Sequence, residues 1–376
     1  MRYRSNERLL VASARGSRAS HGVRLTRATA AVAAIAGSAS AGINSWTNAS
    51  GGNWNNTGHW SLGSVPADPT VTAEISLAGA YTVTADISPS IGGLLLTNPD
   101  AVLNIINARV ISVVSNTEAA VNLVNNASIV VNSNSGANFT QLQVGDPDTA
   151  GMVGAEPGQT GEIVLNVYPT NGDLNDAIFN IQGDGLHAAN HTVRGKGRVS
   201  GTFTNEGVIL ADRVGDELRI SGDVTQSAGG IVRATAGGWL GIGDNGIVRG
   251  GMMLTDTDGR VQFRSGVGTI MGGVHNMGDV DVLNAHAMRI DAGGITNDGT
   301  ITINSNQGTN FTQAIVVADT SLLGSGVIDL NLADSNGDFN DALLTTDAGV
   351  TATNGPDHLI SGKGRLAGVW INQGKI

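Results

Sequence analysis

The chain has 376 residues, with 54 Gly, 8 Pro, no Cys, 40% hydrophobic and 14% charged residues, and a formal net charge of −11. That length allows a large apolar core, and the aliphatic content is too high for a disordered chain. The lack of cysteine excludes a disulfide framework, and the acidity excludes a general nucleic-acid or anionic-lipid surface. Helical periodicity is scarce, and short apolar runs separated by Gly, Asn, Asp, Ser and Thr predict an all-β chain.

Residues 1–41 read as a signal peptide. Seven arginines face one acid, Glu7; the small apolar run Ala28–Ala36 follows, and Ala39-Ser40-Ala41 offers a cleavage site before Gly42. The run is too short to anchor in a bilayer, and no later segment reads as membrane-spanning. Residues 1–41 hold seven of the 21 basic and one of the 32 acidic residues, so their removal moves the net charge from −11 to −17. A secreted or cell-surface protein is expected.

Residues 42–100 form a Trp-rich entry module, with Trp46, Trp54 and Trp60 inside "INSWTNASGGNWNNTGHWSLGSVP". The three rings suit a cap over the open end of a β stack, and alternatively a platform for sugar rings. "WTNASGGNW", then "HWSLGSVP", "YTVT" (Tyr81–Thr84) and "IGGLLL" (Ile91–Leu96) resemble the start of secreted β-solenoid proteins of Planctomycetes, Verrucomicrobia and relatives. Those proteins are similar to autotransporter passenger domains. The resemblance implies a right-handed parallel β-helix outside the cell, and it brings no catalytic residues.

Residues 101–376 contain a duplication. "VNSNSGANFTQ" (Val131–Gln141) returns as "INSNQGTNFTQ" (Ile303–Gln313) at an offset of 172, and "NGDLNDA" (Asn171–Ala177) as "NGDFNDA" (Asn336–Ala342) at 165. Gly195-Lys196-Gly197-Arg198 returns as Gly362-Lys363-Gly364-Arg365 at 167, so about 104–212 has a second copy at about 275–376. A finer pattern, apolar-x-Asn-x-Gly-x-apolar, centres on Asn205, Asn276, Asn297 and Asn372. Short strands at this spacing predict a parallel β-solenoid of stacked coils, roughly 14 coils and ~70 Å long at the usual strand separation. Asn and Gly are expected to make its corners by taking left-handed backbone angles, with Asn side chains bonding along the stack. The chain ends within the second copy, so a truncated product is expected.

The Gly-Lys-Gly-Arg pairs suit a turn better than an anion site, because no phosphate-loop spacing or following helix is present. His187 and His191 have metal-ligand spacing only if they lie on a helix, and they fall between β repeats. Asp334, Asn336, Asp338 and Asn340 alternate like the first half of a calcium loop, although position twelve is Thr345 rather than Glu. Asn/Gly/Asp turn chemistry explains the same residues. Asp279 and Asp281 share one side of a strand, and no acid pair with a basic partner marks a glycosidase or lyase.

No catalytic residue and no organic cofactor is therefore predicted, with calcium the one plausible ion. The expected role is structural or adhesive, with loops such as 142–160 contacting extracellular glycan or surface components. The alternative is a polysaccharide-binding or polysaccharide-cleaving β-helix.

Overall fold

The computed structural model describes residues 42–114, 121–227, 229–256 and 258–376. The predicted signal, 1–41, lies outside the described residues. The described residues form one unit.

The unit is a parallel β-helix with three faces. One coil runs through Asp223–Gln226, Ile231–Ala234 and Trp239–Ile242, and the next through Ile247–Arg249, Met252–Thr255 and Arg260–Phe263. Each strand pairs in parallel with its counterpart one coil on: Asp223 with Ile247, Ile231 with Met252, Trp239 with Arg260. The first face begins at Gly42–Ser45, the second at Gly52–Asn53 and the third at Ser90–Ile91. The coils cross residue 100 without a break, since Tyr81–Ala85 pairs with Ala101–Ile105.

The strands form because β-branched and aliphatic residues alternate with polar ones. In Thr300–Ile303 the two isoleucines are buried and the two threonines half-buried. Inward side chains stack in columns: on the second face Val83, Leu103, Ile129, Ile163, Val193, Ile209, Val232 and Met253 follow one another in register, all buried. Each such side chain contributes about 1.5–3 kcal/mol by leaving water.

The first coil closes on the tryptophans. Trp46, Trp54 and Trp60 are 2%, 0% and 3% exposed and join the main core. Trp60 packs edge-on against both others, at centroid distances of 5.1 Å to Trp46 and 4.8 Å to Trp54. Every indole N–H is satisfied: Trp46 by Asn48 O, Trp54 by Pro66 O and Trp60 by Trp54 O. Rings buried to this degree have no face free for a sugar, and they extend the core at the first coil. Trp54→Ala is expected to cost about 3–5 kcal/mol, read by urea or thermal denaturation; a loss below ~1 kcal/mol would mean that the ring closes nothing.

The corner chemistry differs from the sequence expectation. Asn205, Asn276 and Asn297 are fully buried, and none is among the residues with positive φ. They end their strands and turn inward to hydrogen-bond. Their partner glycines are required for lack of bulk: a Cβ on Gly278 would sit 2.5 Å from Thr255 N, and one on Gly299 2.0 Å from Gly278 O. The left-handed residues lie elsewhere: Asn132, Asn245 and Asn304 and many glycines do take such angles, as do Ala108 and Ala285, with φ of 62° and 67°. The expected loop 142–160 is also partly strand, since Gln141–Val144 and Gly151–Gly154 both join the ladders.

The two copies of the duplication do not sit on the same faces. Val121–Asn125 lies on the first face, whereas its counterpart Ile295–Asn297 lies on the second. Likewise Ser128–Val131 is on the second face and Thr300–Ile303 on the third. The second copy is thus displaced by about seven coils and a third, on the order of 35 Å along the axis at ~4.8 Å per coil.

Candidate functional site: two braced corners

Each copy builds one decorated corner from two loops on successive coils. In the first copy, 132–140 and 167–177 both connect the second face to the third. In the second copy, 304–312 and 332–342 connect the third face to the first.

The upper loop has one conformation in both copies. Asn132 and Asn304 take φ of 62° and 65°, and Ser135 and Gln307 take 52° and 53°. Asn132 Nδ2 donates to Gly136 O while its Oδ1 accepts from Gly136 N, at 2.8 and 2.9 Å; Asn304 repeats the pair with Gly308 at 2.9 Å for both. The preceding coil adds Asn107, whose Oδ1 accepts from Asn138 N and whose N donates to Asn134 Oδ1. Asn284 does the same for Asn310 and Asn306. Thr140 and Thr312 are buried beneath, each accepting from an Ala N–H. Above this bracing, Phe139 and Phe311 stand 49% and 50% exposed.

The lower loop holds the calcium-like motif, and the Gly-Lys-Gly-Arg motif clamps it. Lys196 Nζ donates to Tyr168 O and Pro169 O and pairs with Asp216 at 3.2 Å. Lys363 Nζ donates to Ala333 O and Asp334 O, both at 3.0 Å. Arg198 donates to Asn175 Oδ1 at 2.8 Å, and Arg365 to Asn340 Oδ1 at 2.7 Å. Gly195 and Gly362 have φ of +102° and +99°, and a Cβ on either would meet a carbonyl oxygen at 2.3 Å. This recurring motif is therefore a brace for a recurring loop.

Three of the four candidate calcium ligands, Asn336, Asp338 and Asn340, are engaged within this brace. Asn336 Oδ1 accepts from Asp338 N while its Nδ2 donates to Asp341, and Asp338 Oδ1 caps a short 3-10 turn by accepting from Asn340 N. Asp334 lies 3.8 Å from Lys363 and faces solvent. Among the described residues, no group of three or more His, Asp or Glu side chains is arranged to hold a metal ion. In the first copy Asp173 and Asp176 lie close together, and burial and then Asp173 push the Asp176 carboxyl up.

Inside the solenoid, histidines and asparagines form buried hydrogen-bonded strings. Asn125 Nδ2 lies 3.0 Å from His191 Nε2, His191 Nδ1 lies 3.0 Å from His187 Nε2, and His187 Nδ1 lies 2.7 Å from Asn205 Oδ1. The second copy gives Asn276–Asn297–His358–Asn354, with His358 Nε2 3.2 Å from Asn297 and its Nδ1 2.8 Å from Asn354 Oδ1, and Asn354 bonds on to the exposed Asn372. One neutral tautomer, Nδ1–H, satisfies every ring, because each Nε2 then accepts. Burial pushes His187 down to about 4, pushes His191 well below its ordinary value and lowers His358. The helix that metal spacing requires is absent here: both residues of the 187/191 pair lie in strands.

Outward acids pair with arginines, mostly on neighbouring coils, while Glu217 and Arg219 share one strand. Arg194 binds Glu162 and Asp212, Arg219 binds Glu217 and Asp244, Arg249 binds Asp223, and Arg260 binds Asp279. Asp281 differs: burial pushes its carboxyl up, and Gln262 approaches it at 3.5 Å.

The sequence had pointed at the entry tryptophans and missed Phe139 and Phe311. Their signal was available, since a lone aromatic recurs within an uncharged, duplicated loop. No family model, curated protein or solved structure matches the chain.

Proposed function

We propose that this is an exported, non-catalytic β-solenoid that serves as a rigid structural or adhesive element, secreted or held at the cell surface. The observation that carries this reading is the pair of corners, braced alike in both copies and each holding an aromatic ring in solvent. Strands stacked on one core supply stiffness, and the loops supply contact. Arg219, Arg249 and Arg260 tie neighbouring coils by pairing with Asp244, Asp223 and Asp279. No helix among the described residues is long and apolar enough to cross a membrane.

A polysaccharide-cleaving role is favoured by one observation, the raised Asp281 carboxyl two residues from Asp279 on one face. A panel of neutral and acidic polysaccharides, incubated with and without divalent cations, separates the two readings. Retention on a polymer or on cells without new reducing or unsaturated ends is expected; release of such ends, abolished in Asp281→Asn, would replace the adhesive reading by the catalytic one.

In this reading the 334–341 loop is held by Lys363 and Arg365 rather than by calcium. A site with a Kd a hundredfold below the added calcium would stabilise the fold by about 2.7 kcal/mol. The melting temperature in millimolar calcium is expected to match that in a chelator, and a rise of several degrees would restore Asp334, Asn336, Asp338 and Asn340 as ligands.

A further inference from the structure

We infer that loops 132–140 and 304–312 are twin contact sites for a neutral polysaccharide, each centred on one phenylalanine, and that their third-of-a-turn offset makes the protein join two polymer strands. This rests on the adhesive reading and adds to it the ligand class, the residues and the valency.

The first argument is energetic. A phenylalanine stabilises a fold by leaving water, and a half-exposed one forgoes much of that gain. Phe139 and Phe311 are half exposed on loops whose backbones are tied at both ends and underneath by Asn132, Asn107 and Thr140, or by Asn304, Asn284 and Thr312. A floppy loop would fold its ring onto the surface; this bracing holds the ring out. The same arrangement in both copies shows that each ring's exposure belongs to the loop rather than to its neighbours. An exposed aromatic on a rigid support is a contact feature.

The second argument is chemical. Residues 132–140 and 304–312 contain no charged side chain, in a chain of net charge −11. The exposed neighbour of each ring is a side-chain amide, Asn138 or Asn310. An uncharged aromatic face beside an amide suits the C–H face and hydroxyls of a neutral sugar ring. The loop's own residues supply no cation for phosphate, carboxylate or sulfate groups, and one ring per loop is too little apolar area for a lipid surface. Tyr168 in the first corner and Phe339 in the second, also about half exposed, lie on the adjoining coil at different positions of the lower loop.

The third argument is geometric. The first site lies between the second and third faces and the other between the third and the first, on the order of 35 Å apart. A straight polymer running along one corner meets a single site. Two strands on different sides of the solenoid meet both, so binding cross-links.

The test uses the full chain after export, with cellulose, xylan, mannan and galactan as neutral probes, alginate as an anionic one, and whole cells as a separate arm. Retention on at least one neutral polymer and not on alginate is expected. Phe139→Ala or Phe311→Ala should each weaken retention about tenfold and abolish the turbidity that wild type produces with the soluble form of that polymer. The double variant should lose retention with an unchanged melting temperature, since both rings lie outside the core. A double variant that binds like wild type overturns the sites while leaving the adhesive reading intact. Turbidity that survives in either single variant overturns the two-strand geometry. Wild type that is retained only by alginate overturns the ligand class, and wild type retained by neither polymers nor cells overturns the adhesive reading itself.

Discussion

Lowering the pH from 7 to 4.5 is expected to destabilise the first copy of the repeat by about 2–3 kcal/mol through His187 alone. Burial holds this ring down at about 4, against 6.5 for an ordinary histidine. Below pH 6.5 the unfolded chain therefore binds protons that the folded chain refuses. Stability is complete above that value, falls as the pH drops toward 4, and levels off beneath it. His191 and His358 are shifted in the same direction and add to the slope. The hydrogen-bond pattern strengthens the case, because a second proton on His187 Nε2 would point at the Nδ1–H of His191. Urea unfolding at pH 7, 6, 5 and 4.5 measures the effect. The double variant His187→Gln/His191→Gln should be weaker at pH 7 and show a shallower slope, which separates the histidines from the carboxylates. Equal wild-type stability at pH 7 and pH 5 would contradict the buried neutral pair.

The second large effect is an asymmetry between the two lysines of the repeated motif. Lys196 has a side chain only 8% exposed and pairs with Asp216, itself 18% exposed, whereas Lys363 is 37% exposed and faces the fully exposed Asp334. Lys196→Met removes the partner of a largely buried carboxylate as well as the donor to two loop carbonyls, and is expected to cost about 3–5 kcal/mol. Lys363→Met removes the same donor at a wet site and should cost about 1 kcal/mol or less. Thermal or urea unfolding of the two variants side by side makes the comparison. Equal losses would show that the carbonyl contacts, common to both, dominate over the ion pair.

Much of the architecture was legible because a solenoid repeats its instructions. Alternation such as Ile301-Thr302-Ile303 gives the inward and outward sides of a strand, and the recurrence of Asn-x-Gly gives the coil. The physical reason for that motif was less legible. Asn and Gly are both common where φ is positive, and only the packing of one coil on the next shows that Gly299 is there to let Gly278 O approach. The pairing of Lys196 with the 168–176 loop had a trace in the sequence, since both motifs recur at nearly equal offsets, 167 and 165. Two segments that travel together through a duplication are candidates for contact. The displacement of the second copy by one face had no local trace. It depends on the total winding of the stretch between the copies, and every small insertion in that stretch changes it.

The internal strings of Asn and His have a consequence for how the coils find their places. In a stack of near-identical aliphatic rungs, a strand that slips by two residues still buries apolar side chains, so the oily interior barely discriminates one alignment from another. Asn276 opposite Asn297, and Asn354 opposite Asn372, change that. A slipped rung would leave an amide deep inside with its donors and acceptors unanswered, a penalty of about 1–3 kcal/mol for each orphaned group. These side chains thus act as alignment pins, as a single polar residue does in the seam of a coiled coil. A chimera that exchanges coils with another solenoid will assemble in one alignment only where the pins on either side of the junction meet.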